Sequence, residues 1–275
     1  DWQEFSETSG DWGSSFILMA NIHLGGAIGI GNVDRQFTGV FDGNNNVISG
    51  AVINQPGSAY VGLFGYVGPG SQIKNLGVVN VNIIGHDYVG GLVGSNNSGT
   101  ITSCYATGSV TGTYICTGGL VGENFGLGSL TDCYATGSVT GIYWVGGLVG
   151  VNSSVLTKCY ATGPVSGTQK VGGLVGINGG IGGVLTSCYA TGAVTGGGLV
   201  GGLVGYNDSG TLTGCYATGP VIGTGSHVGG LAGWNNGGTA TACFWDVNAS
   251  GQPTSDGGTG KTTAQMKTLS TFTSV

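Results

Sequence analysis

The sequence predicts an all-β fold: a right-handed parallel β-helix (β-solenoid) of about seven coils, with about 28 residues per coil and a cap at each end. The decisive observation is an internal repeat, because the string Val-Gly-Gly-Leu-Val-Gly, or a close variant, occurs seven times. A second string, Cys-Tyr-Ala-Thr-Gly, keeps the same phase, and right-handed winding is the usual connection between parallel strands. The leucines of the first string are 29, 28, 28, 26, 29 and 28 residues apart: Leu63, Leu92, Leu120, Leu148, Leu174, Leu203 and Leu231.

The composition supports a chain that turns often and buries the segments between turns. Glycine accounts for 62 of 275 residues, but there is no glycine at every third position, which excludes collagen. With 40% hydrophobic residues and a net charge of −6, the chain is also unlike disordered proteins. Six scattered basic residues exclude a nucleic-acid surface, and no apolar stretch is long enough for membrane insertion.

Each coil alternates small or apolar residues with polar ones, as in Cys133 and Ala135 against Tyr134 and Thr136. This period of two predicts strands with one buried face. We expect three short strands per coil, separated by glycines at corners, and no helix, because no segment has helical periodicity. Residues 1–275 form one domain, with 1–60 as the N-terminal capping region, 61–247 as the coils and 248–275 as the C-terminal capping tail.

Six cysteines recur at one position of the coil and predict a buried column of free thiols. No two of them have the spacing of zinc ligands, and the first coil has Leu76 at the same position, as expected for a packing role. We expect Cys116, which aligns with Tyr88 and Trp144, to face outward as a free thiol, or to pair with another chain. The members of the core column are Cys104, Cys133, Cys159, Cys188, Cys215 and Cys243.

Three further columns of equivalent residues are candidates for binding or for structure. A regular Thr-x-Thr array resembles the ice-binding face of some antifreeze proteins, although threonine is also a common strand residue with a solvated face. Stacked tyrosines could hold a sugar or only stabilise a sheet, and the asparagines that follow Gly-Leu-Val-Gly are expected to bond to one another at a turn. The candidate binding face consists of Thr102, Thr131, Thr157, Thr186, Thr213 and Thr241.

No catalytic, cofactor or metal site is predicted. A β-helical polysaccharide lyase or hydrolase needs clustered acids, yet the acids between positions 89 and 243 are Glu123, Asp132 and Asp208, at different positions in their coils. His23, His86 and His227 lie far apart in the sequence. The sequence therefore predicts a protein that is not an enzyme.

The two repeated strings resemble the GLUG motif, and the resemblance covers nearly the whole chain. Segments 37–43 and 47–50 are similar to the segment before such arrays, and 243–246 with 257–266 to the segment that closes them. The resemblance implies a large secreted or surface-anchored bacterial or archaeal protein, such as an adhesin-like protein or the flanking region of an IgA-cleaving metallopeptidase. The zinc motif His-Glu-x-x-His of those peptidases is absent from this sequence, so no protease activity carries over.

These observations together favour a non-catalytic structural or adhesive repeat domain at the cell surface or outside the cell. The alternatives are a binding solenoid that uses the threonine or tyrosine columns for ice or glycans, and a subunit that assembles into filaments. The expected partners are a host or surface glycan, a protein or ice, and self-association end to end or side by side is a further hypothesis.

Overall fold

The computed structural model describes residues 2–26, 29–180 and 182–273 and confirms the all-β parallel solenoid, which has about eight turns. Consecutive coils stack so that equivalent strands pair in parallel, four sheets running along the rod. We number the sheets I to IV in the order in which the chain passes through them within a coil. We predicted three strands per coil; the structure has four sheets because sharp corners divide the coil more finely.

The strands of each sheet are short. Sheet I contains Ser15–Ile17, Val40–Asp42, Gln72–Lys74, Thr100–Thr102, Ser129–Thr131, Val155–Thr157, Val184–Thr186, Thr211–Thr213 and Thr239–Thr241. Sheet II contains Ile22–His23, Val47–Ser49, Val52–Asn54, Gly77–Gly85, Tyr105–Gly112, Tyr134–Ala135, Ser138–Thr140, Tyr160–Ala161, Val165–Ser166, Tyr189–Ala190, Val194–Gly196, Tyr216–Ala217, Val221–Gly223, Phe244–Asp246 and Thr259–Lys261. Sheet III contains Val89–Gly90, Ile115–Gly118, Tyr143–Gly146, Gln169–Gly172, Leu199–Gly201 and His227–Gly229. Sheet IV contains Phe64–Val67, Val93–Asn97, Val121–Phe125, Val149–Asn152, Val175–Gly179, Val204–Asp208 and Ala232–Asn236.

Coil stacking begins before residue 61. Ser15–Ile17 pairs with Val40–Asp42, and Ile22–His23 with Val47–Ser49, so the N-terminal region already contributes strands to sheets I and II. The aromatic rings of Trp2 and Phe5 pack beneath these strands, with Trp2 6.1 Å from Phe64 between ring centroids. The N-terminal region is therefore both a cap and the first part of the winding.

Short helices at the two ends correct the expectation that the chain has no helix. They are Trp2–Glu7, the 3-10 turn Ser9–Asp11, Val247–Ser250, Thr263–Met266 and Ser270–Thr273. None is long enough to show helical periodicity in the sequence. Local capping forms two of them: Asp246 accepts hydrogen bonds from the N–H groups of Asn248 and Ala249, and Thr262 forms a capping box with Gln265.

The interior of the coils has two parts. The repeated leucines, the cysteines and the aliphatic residue between each Thr-x-Thr pair form the larger core. A second cluster contains only valines from sheets II and III, including Val139, Val145 and Val171. The second glycine of each Gly-Gly pair lies between the two: a Cβ at Gly119 would meet the Ala135 Cβ at 2.9 Å and the Val139 Cγ2 at 3.2 Å.

The corner between sheets I and II uses left-handed residues that are mostly not glycine. Asp132 and Lys158 both have φ +53°, and Ala242 has φ +52°. Each turns the chain sharply, so that the following cysteine lies inside the coil. The seven residues at this corner are Asn75, Ser103, Asp132, Lys158, Ser187, Gly214 and Ala242.

Candidate functional site

The six threonines of the candidate binding face lie in one line along sheet I. Strand register pairs each with its equivalent in the next coil, and they are half-buried or exposed: Thr102, Thr131, Thr157, Thr186, Thr213 and Thr241. A second outward column runs beside them through Thr100, Ser129 and Val155, about 6.6 Å away at two residues' rise. The aliphatic residues between the two columns, such as Leu156, point inward. Sheet I thus presents a regular array of hydroxyl and methyl groups.

The threonine array ends at a charged pair toward the N-terminus. Lys74 and Asp42 continue the Thr102 column, and the Lys74 Nζ lies 3.4 Å from the Asp42 Oδ2. The backbone N–H of Asn44 holds the pKa of Asp42 below its usual value, and Lys74 adds to this effect. The uncharged part of the face therefore begins at Thr102.

The tyrosines form a closed stack on sheet II. Successive rings of Tyr105, Tyr134, Tyr160, Tyr189 and Tyr216 are 4.7–4.9 Å apart and within 4° of parallel. Tyr105 covers Gly77 at one end, and Phe272 contacts Tyr216 at the other. Because each ring face is covered by a neighbour, a sugar cannot stack on a tyrosine within the column, and only ring edges and hydroxyl groups remain outside.

The cysteine column lies inside the coil, and all seven cysteines of the chain are free thiols. Each Sγ donates to the carbonyl oxygen two residues earlier at 3.2–3.4 Å, as Cys133 does to Thr131. Burial raises the pKa of the Cys104 thiol. At most 2% of each cysteine residue in the column is exposed: Cys104, Cys133, Cys159, Cys188, Cys215 and Cys243.

The asparagines that follow Gly-Leu-Val-Gly form a continuous amide ladder. Each Nδ2 donates to the Oδ1 of the next coil at 2.7–2.9 Å, through Asn96, Asn124, Asn152, Asn178, Asn207 and Asn235. In five of the six asparagines, Asn124 being the exception, the Nδ2 also donates to a main-chain carbonyl at the corner, such as Ser154 O in the coil of Asn152. The first five side chains are fully buried, so this column supports the corner and offers no ligand an open amide.

A family profile described as the GLUG motif matches residues 85–111, 113–140 and 196–222. The two repeated strings continue in phase between and beyond these three segments. The chain contains GLUG repeats.

Two known proteins share features with these GLUG coils. Halomucin of Haloquadratum walsbyi is 35% identical over 135 residues, which is 45% of this chain and 2% of halomucin. The chain thus spans a small fraction of that relative. A crystal structure from Bacteroides ovatus, described as a candidate immunoglobulin A1 protease, superposes with a TM-score of 0.60 at 19% identity, over 92% of this chain and 78% of that one. At this identity the likeness concerns the fold alone.

Cys116 corrects a prediction, because it is buried rather than outward-facing: only 1% of the residue is exposed. Register places it between Tyr88 and Trp144 in the neighbouring GLUG coils, so two larger side chains shield the small thiol from water. Its pKa is raised by burial and by the nearby Glu123 carboxylate. Cys116 is therefore not available for pairing with another chain unless this region opens.

An outward aromatic group on sheets III and IV of the GLUG coils was not predicted from the sequence. The Lys170 ammonium lies 4.7 Å from the Tyr206 ring centroid and 5.6 Å from that of Trp144. The His227 ring stacks on Trp234 at 4.9 Å. The residues of this group occupy two positions of the repeat: the variable position before Gly-Gly and the position directly after Gly-Leu-Val-Gly. These two positions become neighbours only when the coils stack, so the sequence pattern alone did not connect them.

Potential metal ligands are scattered in the part of the chain that the structure describes. No three His, Cys, Asp or Glu side chains there are arranged to hold a metal ion. Within the same ranges, no helix is long and apolar enough to cross a membrane. The repeated surfaces of the GLUG coils remain the candidate functional features.

Proposed function

We propose that this chain is a non-catalytic structural and adhesive segment of a cell-surface or secreted protein. The observation that carries the proposal is the register of the outward columns, which stacks threonine on threonine and tyrosine on tyrosine in successive coils from Thr102 and Tyr105 onward. An enzyme concentrates different groups at one place, whereas this surface distributes one group along a rod. Such a surface suits many weak contacts or a spacer of constant width.

The physical properties of the rod fit this role. At about 4.8 Å per coil, eight turns extend roughly 40 Å. Main-chain bonds hold successive coils together, and the amide ladder and the stacked rings add to them from Asn96 and Tyr105 onward, so the rod keeps its length without disulfides. Similarity to halomucin and the GLUG repeats support an extracellular or surface location.

Location is tested on intact cells of the source organism with an antibody against the purified chain. We expect the antibody signal from intact cells and culture medium to equal the signal found after the cells are lysed. Labelling that appears only after lysis would contradict a surface or secreted protein. A cytoplasmic marker protein, probed on the same samples, controls for damaged cells.

The threonine columns are the face that we propose for contact, because their register lines up hydroxyl and methyl groups whereas the tyrosine rings cover one another. Glycans or proteins with many hydroxyl groups are the proposed partners, and ice is the alternative. The test compares Thr157→Lys, at the centre of this face, with the matched Thr140→Lys, on an exposed position of sheet II.

We expect the unsubstituted chain and Thr140→Lys to bind the same members of a glycan array and Thr157→Lys to lose most of that signal. Thermal hysteresis in the same two proteins, abolished in Thr157→Lys, would instead identify ice as the ligand. Equal binding by both variants would exclude the threonine face. Absence of any ligand for the unsubstituted chain would leave the rod as a spacer.

A further inference from the structure

The cysteine column has a regular geometry that the proposed function does not use. Five of its sulfurs make the same second contact, with the carbonyl oxygen of the aliphatic residue one coil earlier, at 3.5–3.6 Å. The main-chain N–H of Cys159 and that of Cys188 each lie 3.4 Å from the sulfur of the next coil. Because these contacts repeat from coil to coil, we infer that neighbouring sulfurs are separated by the rise of one coil, which is 4.7–4.9 Å between the rings of the adjacent tyrosine column.

This spacing is slightly longer than the span of two metal–thiolate bonds in a line. A bond between a thiolate and a metal ion is about 2.3 Å long, so an ion midway between two sulfurs needs them about 4.6 Å apart. Sulfur is the ligand that soft cations prefer. The cysteine side chains point across the rod, whereas the coils stack along it. An ion on the line between two successive sulfurs therefore lies at a large angle to each Cβ–Sγ bond. Such a site needs only two ligands. The absence of three converging metal ligands among the described residues therefore does not exclude it.

We propose that the cysteine column binds soft cations that favour two sulfur ligands in a line, with one ion between the thiolates of two successive coils. Hg(II) is the clearest case because its product is uncharged, as the apolar interior requires. Two S–H bonds break, the ion loses the two ligands that it carried in solution, two Hg–S bonds form, and two protons and the displaced ligands pass to water. No oxidant or reductant takes part. Pairing of the six cysteines gives room for about three Hg(II) ions per chain.

The test uses two variants that each keep three column thiols, in different arrangements. In both, Cys116→Ala removes the separate thiol. The contiguous variant keeps Cys159, Cys188 and Cys215, with Ala at the other three positions of the column. The alternating variant keeps Cys133, Cys188 and Cys243, whose sulfurs are two coils apart, about 9.6 Å at twice the rise of one coil. The reduced proteins are incubated with HgCl2 and washed with an excess of a monothiol.

We expect about three bound ions in the chain with six column cysteines, about one in the contiguous variant and none in the alternating variant, measured by mass spectrometry of the metal. X-ray absorption should report two sulfur ligands at about 2.3 Å. Equal retention by the contiguous and alternating variants, or uptake by the complete chain only after it is denatured, would overturn the proposal. Should either variant fail to fold, the coordination number in the Cys116→Ala chain decides, since one sulfur per ion contradicts the bridged site.

Discussion

At the scale of single residues, the buried asparagines hold both the corners and the stacking of coils. The Asn152 side chain accepts from Asn124 at 2.8 Å and donates to Asn178 at 2.9 Å and to the Ser154 carbonyl at 2.8 Å. Buried polar groups that lose such partners are costly, because water does not replace the bond. The amide ladder is thus a point where one side chain stabilises three coils.

Asn152→Ala should lower the free energy of unfolding by about 2–6 kcal/mol, because it leaves the Asn124 Nδ2 and the Asn178 Oδ1 buried without a partner, at about 1–3 kcal/mol each. Asn235→Ala, at the half-buried end of the ladder, removes one ladder bond and should cost about half as much. Urea unfolding followed by circular dichroism measures both. Equal losses of unfolding free energy in the two variants would mean that burial of the ladder asparagines does not determine their contribution to stability.

Glu123 is the carboxyl group whose burial should make stability depend on pH. Burial raises the pKa of Glu123 above its usual value of 4.5, and the hydrogen bond from Ser95 opposes this shift only in part. The folded chain therefore binds this proton more tightly than the unfolded chain, and stability falls as pH rises through the raised pKa. The neighbouring Tyr88 and Cys116 stay neutral in this range, because burial raises the pKa of Tyr88 to about 12 and that of Cys116 further.

Glu123→Gln should raise the thermal midpoint at neutral pH and leave it unchanged near pH 4, because glutamine keeps the hydrogen bond without the charge. Thermal unfolding at intervals between about pH 4 and pH 8 measures the difference, which should grow with pH to a plateau. Asp132→Asn, at an exposed carboxylate, is the matched control and should not reproduce this profile. A constant offset between Glu123→Gln and the parent would contradict the burial argument.

At the scale of the coil, two opposite walls touch at the Gly-Gly pair. A Cβ at Gly119 would collide with the carbonyl oxygen of Gly147 and lie 2.9 Å from the Ala135 Cβ. The close approach separates the main core from the valine cluster and brings sheet II within contact of the opposite wall. This glycine is thus required for space.

Gly119→Ala should destabilise the chain by about 3 kcal/mol, because neither the facing backbone nor the packed alanine can move without shifting a coil. Gly57→Ala is the control, since nothing lies within 4 Å of a Cβ there, and it should change stability by less than about 0.5 kcal/mol. The urea midpoint of the two variants measures the contrast. A tolerated Gly119→Ala would show that the two walls are not in tight contact.

The sequence was sufficient to predict how the coils stack, but not the backbone conformation at the corners. Phase between the two strings predicted which residues share a column, and the inward cysteines followed from Leu76 at the same position. It could not show that the corner residues Asp132 and Lys158 adopt the left-handed conformation, because glycine is the usual marker of that conformation. Many glycines of this chain instead lie where two backbone segments come into close contact. Cys116 was assigned to the outside because its column varies in size, whereas its burial depends on its neighbours along the rod.

At the scale of the whole molecule, the C-terminal tail closes most of one end of the rod. The Ser255 Oγ accepts from the N–H groups of Leu231 and Ala232 at 3.0 and 2.9 Å, and Thr259–Lys261 pairs with Phe244–Asp246. The strand Thr239–Thr241 remains the last of sheet I in the described part of the chain. The tail thus covers sheets II to IV and leaves a short edge on the threonine face.

Removal of residues 252–275 should convert the rod into a self-associating protein, because it frees the strand edges of three further sheets for parallel pairing. The first strands at the other end, Ser15–Ile17 and Ile22–His23, have the same polarity and can accept the next molecule. Light scattering during gel filtration should show mass that increases with concentration, while the complete chain stays constant. Circular dichroism must show that the truncated chain keeps its β-structure. A folded truncated chain whose mass does not change with concentration would show that the tail stabilises the last coil without preventing association.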